Sequence, residues 1–340
     1  MTALVVREAT AAEGAAWDRC VAEHGGSVFQ RWGWKRVYEE AYALETPYLA
    51  AYAGEALAGV LPLVRLRSPL FGEHLVSLPW LNTGGPVGTP DACRALAAAA
   101  VARQGRARAI ELRQRASHPL GLVPTARKIT VVLPLVAGDP EGTLRRLDSK
   151  VRSQVRRATR DGVTVRFGHD QLAPFHAVFV EHMRDLGSPA HAARFFGAIA
   201  QLLGEEAWVG VAYAGDTPIA AGFAIVDGDE LEMTWASALR RHARCAPNMA
   251  LYGAFLQRAA AEGLAHFNFG RCTPDSGTHR FKRQWGGVDE PLGWERHPAP
   301  AAGNPDGVGG AARAASRLWR HLPIPLVRAL GPPLLKGIPV

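Results

Sequence analysis

Two similar stretches of the sequence decide the fold: residues 51–64 read AYAGEALAGVLPLV, and residues 212–226 read AYAGDTPIAAGFAIV. In each stretch an apolar run leads to a glycine, Gly54 or Gly215, which is followed by an acidic residue and a second apolar run. Apolar runs joined by such a short polar turn are typical of β-hairpins. We therefore predict one hairpin in each half of the chain.

The same order of elements continues after each hairpin. An alanine-rich helical stretch, a glycine and a short apolar strand occupy residues 92–112 in the first half and 249–269 in the second. Chance similarity between two alanine-rich segments is one explanation, but the agreement of hairpin, helix, glycine and strand favours two related halves. The predicted fold class is α/β (α+β), with two units that each hold a mixed, mostly antiparallel sheet flanked by helices.

The composition divides the chain into three parts. We place the first unit at residues 1–142 and the second at 143–297, and we assign 298–340 to a Pro/Gly-rich linker followed by an apolar tail. Five prolines interrupt the last 25 residues, so the tail cannot be one long helix. The tail contains Trp319, Arg320, Arg328 and Lys336 among its apolar residues. Docking on its own domain and contact with an anionic membrane surface are both consistent with this composition.

Length and composition exclude several classes of protein. The chain has 340 residues, of which 48% are hydrophobic and 21% charged, enough for packed cores in about two domains. No apolar run approaches the roughly 20 residues of a membrane-spanning helix, and residues 1–10 lack the layout of a signal peptide. We therefore expect a cytoplasmic protein, with peripheral contact to the inner membrane face as the alternative.

The cysteines are too dispersed to form a recognisable site. Without a Cys-x-x-Cys pair, they support neither a disulfide framework nor a zinc site, and we assign no metal ligands. The four are Cys20, Cys93, Cys245 and Cys272.

The net charge of +8 and the pI near 9.7 suggest an anionic partner. Arginine so outnumbers lysine that compositional bias explains part of this charge. The informative part lies in residues 143–162, whose apolar residues recur every three or four positions and predict one amphipathic helix ended by Gly162. Its basic surface is either a solvated face or one that reads phosphates, in which case Arg152 and Arg156 bind the acceptor or a nucleic acid.

A second basic segment precedes a predicted helix that begins near Asn248. Asn is a good N-cap, and a helix N-terminus attracts phosphate or carboxylate groups. Arg240, Arg241 and Arg244 lie at the same end. We predict an anion site here for a phosphate-bearing donor, with Trp235 and Phe281 completing the donor-binding set.

Residues 266–287 read HFNFGRCTPDSGTHRFKRQWGG, a strand followed by a turn-rich loop and an aromatic, basic run. Lys282 is one of only five lysines, and aromatic side chains lie close on both sides of it. A desolvated ammonium group is suited to stabilising a developing oxyanion. Phosphate-loop, zincin, nucleophile-elbow and dinucleotide motifs are absent from the sequence, which argues against NTPase, zinc protease, hydrolase and ordinary dehydrogenase functions.

These motifs together resemble the FemAB-like branch of the GNAT N-acyltransferases, including the BioF2-like members encoded with PEP-CTERM and exosortase exopolysaccharide systems. The resemblance covers nearly the whole chain. It is carried by Ser27-Val28-Phe29-Gln30, Leu61-Pro62-Leu63, Leu75-Val76-Ser77-Leu78-Pro79, Gly84-Gly85-Pro86, Glu111-Leu112-Arg113, Leu186-Gly187-Ser188-Pro189, Pro247-Asn248, Phe269-Gly270-Arg271, Ser276-Gly277-Thr278, Phe281-Lys282 and Trp285-Gly286.

The resemblance implies two GNAT domains in one chain and amide-forming transfer of an acyl or aminoacyl group to an amine. Acyl-CoA, an acyl carrier protein or aminoacyl-tRNA is the implied donor, with no tightly bound cofactor. The acceptor is a glycan, peptide or small-molecule amine of cell-envelope or exopolysaccharide biosynthesis. An RNA-binding or membrane-surface scaffold without transferase activity is the alternative function, and the oligomeric state stays open.

The resemblance also assigns residue roles. It places Lys282 at the position that activates the acyl carbonyl, and Arg271 then orients the donor or an anionic group of the acceptor. His279 and Asp275 are candidate proton acceptors for the attacking amine. The chain departs from the exopolysaccharide-associated members at Cys272 and residues 273–275, which leaves the donor undecided.

Overall fold

The computed structural model describes residues 3–69, 71–116, 118–125, 128–299 and 310–338. The strands are β1 (Leu4–Glu8), β2 (Leu49–Ala53), β3 (Ala56–Leu61), β4 (Val64–Ser68), β5 (Gly72–Val76), β6 (Val87–Gly88), β7 (Ala109–Gln114), β8 (Val123–Pro124), β9 (Ile129–Pro134), β10 (Val163–Phe167), β11 (Ala207–Ala214), β12 (Thr217–Asp227), β13 (Glu230–Ala238), β14 (His266–Cys272), β15 (Val288–Pro291) and β16 (Gly293–His297). The α-helices are α1 (Gly14–Glu23), α2 (Trp34–Tyr42), α3 (Pro90–Ala102), α4 (Pro140–Arg146), α5 (Ser149–Arg160), α6 (Leu172–Leu186), α7 (Ala193–Leu203), α8 (Pro247–Ala261), α9 (Gly277–Arg283), α10 (Gly310–Trp319) and α11 (Ile324–Leu335).

The chain forms two compact units. Unit 1 comprises residues 1–128, 291–309 and 332–340, and unit 2 comprises residues 129–290 and 310–331. Unit 1 holds a four-stranded sheet, in the order β1-β2-β3-β6, and a five-stranded sheet, in the order β4-β5-β7-β16-β8. Its core packs α3 against both sheets, because Leu96 of the helix lies in one apolar cluster with Leu49 and Ile110.

Unit 2 is built on a seven-stranded sheet in the order β10-β11-β12-β13-β14-β9-β15. One face of the sheet is covered by α8, whose Leu251 and Phe255 are fully buried in a large apolar cluster. The opposite face packs against α6 and α7, where Phe175 and Phe196 contact Phe223 of β12. Both faces are therefore buried, which explains the nearly continuous apolar sequence of β11 and β12.

The predicted fold class is confirmed. The two hairpins are β2–β3 and β11–β12, and their turn residues Gly54 and Gly215 have the positive φ values of 64° and 58° that glycine adopts without strain. A parallel strand pair lies downstream of each hairpin, β5–β7 in unit 1 and β13–β14 in unit 2. In unit 1 the short strand β6 comes between β5 and α3 and pairs with β3 of the hairpin. The hairpin and the parallel pair thus occur in the same chain order in both units, but they share one sheet in unit 2 and belong to two sheets in unit 1.

The units differ in extent from the predicted segments 1–142 and 143–297. Strand β9 pairs with β14 and belongs to the sheet of unit 2, whereas β16 pairs with β7 and belongs to the sheet of unit 1. The sheet of each unit thus includes one strand from the segment that was predicted to form the other unit. A strand pairs with the strand whose edge can form hydrogen bonds with it, and that partner can be far away in sequence. Dividing the chain into consecutive segments therefore does not predict it.

The predicted single helix over 143–162 is two helices. Helix α4 ends at Arg146, Leu147 is extended, and the Asp148 side chain then accepts a hydrogen bond from the Lys150 N–H at 2.7 Å to begin α5. The hydrogen bond of a capping aspartate side chain replaces those that a continuous helix would form at this point, which explains the break between α4 and α5. The predicted apolar stripe is nevertheless buried at Leu147, Val151 and Val155.

The tail contains two helices, α10 and α11, and residues 300–309 of the predicted linker lie outside the described part of the chain. Among the helices that the structure describes, none has the length and apolar character needed to cross a membrane.

Candidate active site

Strands β13 and β14 diverge in the middle of the unit 2 sheet. Their parallel pairing covers three positions, the last of which is Glu232↔Asn268, although β13 continues to Ala238 and β14 to Cys272. Each strand also has a register shift near this point, β13 opposite Phe223 and β14 beyond Asn268. Such bulges bend strands apart and are frequent next to active sites. The divergence creates an opening between two central strands.

The bulge of β14 is held by a buried hydrogen-bond network around Asn268. Its Oδ1 accepts from the Gly270 N–H at 2.8 Å and from the Thr130 hydroxyl, and its Nδ2 donates to Glu230 at 2.8 Å. Gly270 has a φ of 73°, which a residue with a Cβ adopts only at a cost. The network fixes the direction of the carbonyl groups that follow.

Lys282 lies at this bulge. It belongs to the short helix α9, whose N-cap Ser276 accepts a hydrogen bond from the His279 N–H at 3.1 Å. The Lys282 side chain is buried, and its Nζ donates to the carbonyl oxygens of Gly270 at 2.6 Å and Arg271 at 2.8 Å. An ammonium group has three N–H donors. Two of them are used by these carbonyls, so one remains for a substrate atom.

Burial lowers the pKa of Lys282 to about 8. The nearby Cys272 and Glu232 act in the opposite direction and favour the charged form, whereas the positive charge of Arg271 lowers the pKa further. At neutral pH the group is therefore still mainly an ammonium ion. Its charge is weakly solvated, which strengthens its interaction with a developing negative charge.

Glu232 is a functional candidate that the sequence analysis missed. It is 2% exposed and stands at the last paired position before β13 and β14 separate. The Thr234 hydroxyl lies 3.5 Å from its Oε1. The available signal was a lone carboxylate inside the otherwise apolar or neutral run 231–238. A buried carboxylate close to a buried ammonium is an arrangement typical of sites that move protons.

Of the two candidate proton acceptors, Asp275 lies in the loop that leads into α9, and His279 lies in the first turn of this helix. The Asp275 N–H donates to Nδ1 of His279 at 3.0 Å, and Nε2 of His279 donates to both carboxylate oxygens of Asp289 at 3.0 Å. Both ring nitrogens are thus engaged, and this imidazole has no free lone pair for an amine proton. Asp275 is exposed and has a φ of 61°. In this conformation, His279 ties the loop to Asp289.

The segment between β13 and α8 carries the predicted donor-binding arginines. Residues Arg240–Cys245 form a 310 helix rather than an open loop. Arg241 forms an ion pair with Glu181 of α6. Arg240 and Arg244 are exposed and form no ion pair with a described residue. These two guanidinium groups are therefore the ones available to an anion.

The expectation that Asn248 caps α8 is wrong. The helix begins at Pro247, and the N-cap is Ala246, whose carbonyl accepts from the Met249 N–H at 2.9 Å. Proline suits the first position of a helix because its missing N–H has no partner there. Asn248 is thus the second residue of the helix, half-buried at the same end as Arg244.

The two aromatic residues assigned to donor binding pack on opposite faces of the sheet. Trp235 lies among aromatic rings on the α6 and α7 face, with ring centroids 5.2 Å from Phe196 and 5.7 Å from Phe223. Phe281 packs on the other face, 5.2 Å from Tyr252. Both side chains are only partly buried. The ring contacts of Trp235 are with α7 and β12, and those of Phe281 are with Tyr252 and Trp285.

Arg271 links the two faces electrostatically, because its charge lowers the pKa of Lys282 and also that of the buried His191. Burial is the larger cause for His191, whose pKa falls to about 3. Arg271 itself is half-buried in β14. Its charge therefore acts on the buried lysine, while its assigned role in orienting the donor or the acceptor stays a prediction.

The two arginines predicted to contact an acceptor or a nucleic acid have different surroundings on α5. Arg152 donates through NH1 to the carbonyl oxygens of Arg145, at 2.9 Å, and of Leu147, and so satisfies the C-terminal end of α4. Arg156 is exposed on the same helix. The next residue, Arg157, donates to the Arg244 carbonyl at 3.1 Å. The exposed end of α5 therefore lies beside the arginines that follow β13.

Comparison with known proteins identifies the domain that contains this site. Residues 145–283 match the family described as "Acetyltransferase (GNAT) domain". No curated protein sequence matches the chain.

Solved structures with a similar fold include that of FemX, at 14% identity and a TM-score of 0.63, covering 93% of this chain and 100% of that one. A tandem GNAT protein from the clavulanic acid biosynthesis pathway has 12% identity and a TM-score of 0.54, covering 88% of this chain and 100% of that one. The opening between β13 and β14, with its buried lysine and carboxylate, lies inside the matched segment. Residues 145–283 therefore match the acetyltransferase (GNAT) domain family, and the chain shares its fold with FemX and with a tandem GNAT protein.

Proposed function

We propose that unit 2 transfers an acyl group from an activated, phosphate-bearing donor to an amine at the opening between β13 and β14. The observation that carries this proposal is the buried Lys282 ammonium, which keeps one N–H free beside a buried carboxylate, Glu232. GNAT domains use acyl-CoA as their co-substrate, which makes acyl-CoA the first donor to test.

In the proposed reaction the amine nitrogen attacks the acyl carbonyl carbon, and the electron pair of the C=O bond moves to its oxygen. The free N–H of Lys282 stabilises this oxyanion, an interaction that is absent in the ground state and therefore lowers the barrier. The tetrahedral intermediate collapses as the bond to the thiolate or alkoxide leaving group breaks. Glu232 accepts the proton that the amine nitrogen loses, and that proton is passed to the leaving group.

Donor phosphates are assigned to the surface that follows β13. Arg240 and Arg244 are exposed there, at the N-terminal end of α8, whose dipole also favours negative charge. Arg241 is already paired with Glu181 and is not assigned to the donor. The exposed Arg156 and Arg160 of α5 extend the basic surface. A donor with a longer polyanionic part, such as aminoacyl-tRNA, would use this extension.

The acceptor is proposed to be an amine of cell-envelope or exopolysaccharide biosynthesis, either an amino sugar or a peptide. The support for this part is the resemblance of the sequence to exopolysaccharide-associated members of the family. A non-catalytic scaffold that binds RNA through α5 is the competing function, and it requires neither Lys282 nor Glu232.

The test uses the purified full chain with labelled acyl-CoA or labelled aminoacyl-tRNA and a mixture of amino-sugar and peptide amines. Transfer of label to an amine supports the proposal, and the absence of transfer from either donor contradicts it. An Arg240→Gln, Arg244→Gln variant should raise KM for the donor at least tenfold, because a lost charged hydrogen bond costs about 1.5–3 kcal/mol. Arg194→Gln, another exposed arginine of unit 2, is the matched control and should leave KM unchanged.

A further inference from the structure

Helix α11 exposes an unusual face. Val327, Gly331 and Leu335, spaced by four residues, are buried and attach the helix to the protein. The opposite side, here called the α11 outer face, consists of Leu326, Ala329, Leu330, Pro333 and Leu334, all exposed. Surface helices ordinarily present charged or polar residues on that side. Here these five exposed residues are all apolar, and Arg328 is the one charged residue in α11.

The exposure is large for leucine. Leu326, Leu330 and Leu334 are 48%, 47% and 52% exposed, and Leu318 of α10 is 71% exposed. These four make up half of the eight exposed large hydrophobic side chains among the described residues. Isolated exposed apolar side chains are normal, but three on successive turns of one helix indicate an interaction surface.

The charges that α10, α11 and the residues next to them carry have one sign. Arg317 of α10 and Arg328 of α11 are exposed, Arg320 follows α10 directly, and Lys336 follows α11 directly. No aspartate or glutamate occurs in the sequence after Asp306. A second copy of this chain would bring the same positive charges to the contact and be repelled. A surface that is apolar inside and negatively charged outside is complementary to it.

We propose that the α11 outer face inserts into the surface of an anionic lipid bilayer. The leucines would lie at the boundary between headgroups and acyl chains, while the arginines and Lys336 contact lipid phosphates. The short helix, interrupted by Pro332 and Pro333, lies in the membrane plane, as expected for an interfacial rather than a spanning segment. This inference goes beyond the acyltransferase function and does not depend on it.

The test is cosedimentation of the full chain with vesicles of phosphatidylcholine alone or of equal parts phosphatidylcholine and phosphatidylglycerol. The chain should bind the anionic vesicles and be left in solution by the neutral ones, and binding should weaken as salt is added. A Leu326→Gln, Leu330→Gln variant should lose at least about tenfold in partition coefficient. An Arg317→Gln, Arg328→Gln variant should lose about fivefold for each arginine.

The control variant is Val5→Gln, Val123→Gln, which removes exposed apolar side chains elsewhere and should bind like the wild type; these side chains are 61% and 41% exposed. Circular dichroism melts check that all variants are folded. The proposal is overturned by equal binding to neutral vesicles, by wild-type binding of the leucine variant, or by absence of binding to anionic vesicles. It is also overturned if the leucines instead hold a dimer, which sedimentation velocity of wild type and leucine variant would reveal.

Discussion

Replacement of Lys282 by methionine tests the proposed chemistry most directly. Methionine has a similar length and is unbranched, but it has no N–H donor and no charge. If the free Lys282 N–H stabilises the oxyanion, its loss should lower kcat by about 10² to 10³, which corresponds to about 2.7–4 kcal/mol of transition-state stabilisation. KM for the donor should change little, because the interaction forms only in the transition state.

The pH dependence of kcat distinguishes a Lys282 that acts as an ammonium ion from one that acts as a general base. The pKa of Lys282 moves from 10.5 to about 8, which corresponds to roughly 3 kcal/mol against the charged form. If the ammonium form is active, kcat is flat with respect to this group below pH 8 and falls tenfold per pH unit above it. If the neutral amine were instead a general base, kcat would rise through pH 8. The two roles therefore predict opposite slopes.

The assay is a single-turnover measurement of amide formation from pH 6 to pH 10 for wild type, Lys282→Met and Lys282→Arg. Arginine keeps its charge over this range, so kcat of Lys282→Arg should not show the fall above pH 8, called here the alkaline limb, whatever its absolute value. Lys150→Met, at an exposed lysine, is the control and should behave as wild type.

Stability must be measured in parallel. Lys282→Met leaves the carbonyls of Gly270 and Arg271 without their donor, at a cost of about 1–3 kcal/mol for each if water does not replace it. The reasoning is refuted if Lys282→Met is folded and retains both its kcat and the alkaline limb. Lys282 would then serve only to hold the bulge of β14.

Three further predictions concern other charged groups. Glu232→Gln should lower kcat by about 10²-fold or more, and because Glu232 favours the charged lysine, the alkaline limb should also move to lower pH; a pH–rate profile checks both. Arg152→Ala should lower the free energy of unfolding by about 1–2 kcal/mol in urea titrations, because it uncaps α4, whereas Arg156→Ala should not change it. The hydrogen bond from Arg7 holds the pKa of Glu13 well below its ordinary value of 4.5. Its stabilisation is present above that pH and lost as the pH falls, so the difference in melting temperature between Glu13→Gln and wild type should shrink on acidification.

Local patterns in the sequence account for much of the fold. Apolar runs interrupted by Gly54 and Gly215 specify hairpins because a tight turn and a two-residue alternation are short-range properties. The spacing of Leu147, Val151 and Val155 likewise predicts the apolar stripe that the structure buries. The break between α4 and α5 was not predicted, although its cause, the capping side chain of Asp148, is also local.

Other features depend on residues far apart in sequence. The exchange of β9 and β16 between the predicted segments follows from strand-edge pairing with β14 and β7, which no local pattern encodes. Arg241 does not differ from Arg240 and Arg244 in its sequence context, and only its ion pair with Glu181 distinguishes it from them. The sequence makes His279 a plausible proton acceptor, but in the structure its Nε2 is hydrogen bonded to the Asp289 carboxylate.

By itself, the sequence determined the fold class, the repeated order of hairpin, helix and strand, and the position of Lys282 as a candidate catalytic residue. Only the tertiary structure decided what surrounds that lysine. The carbonyls of Gly270 and Arg271 accept its hydrogen bonds at the bulge of β14. Glu232 lies close enough to favour its charged form, at the last position where β13 pairs with β14. The physical reason is that composition and periodicity fix which side chains are apolar, whereas the charge and proton affinity of a buried group are set by its contacts.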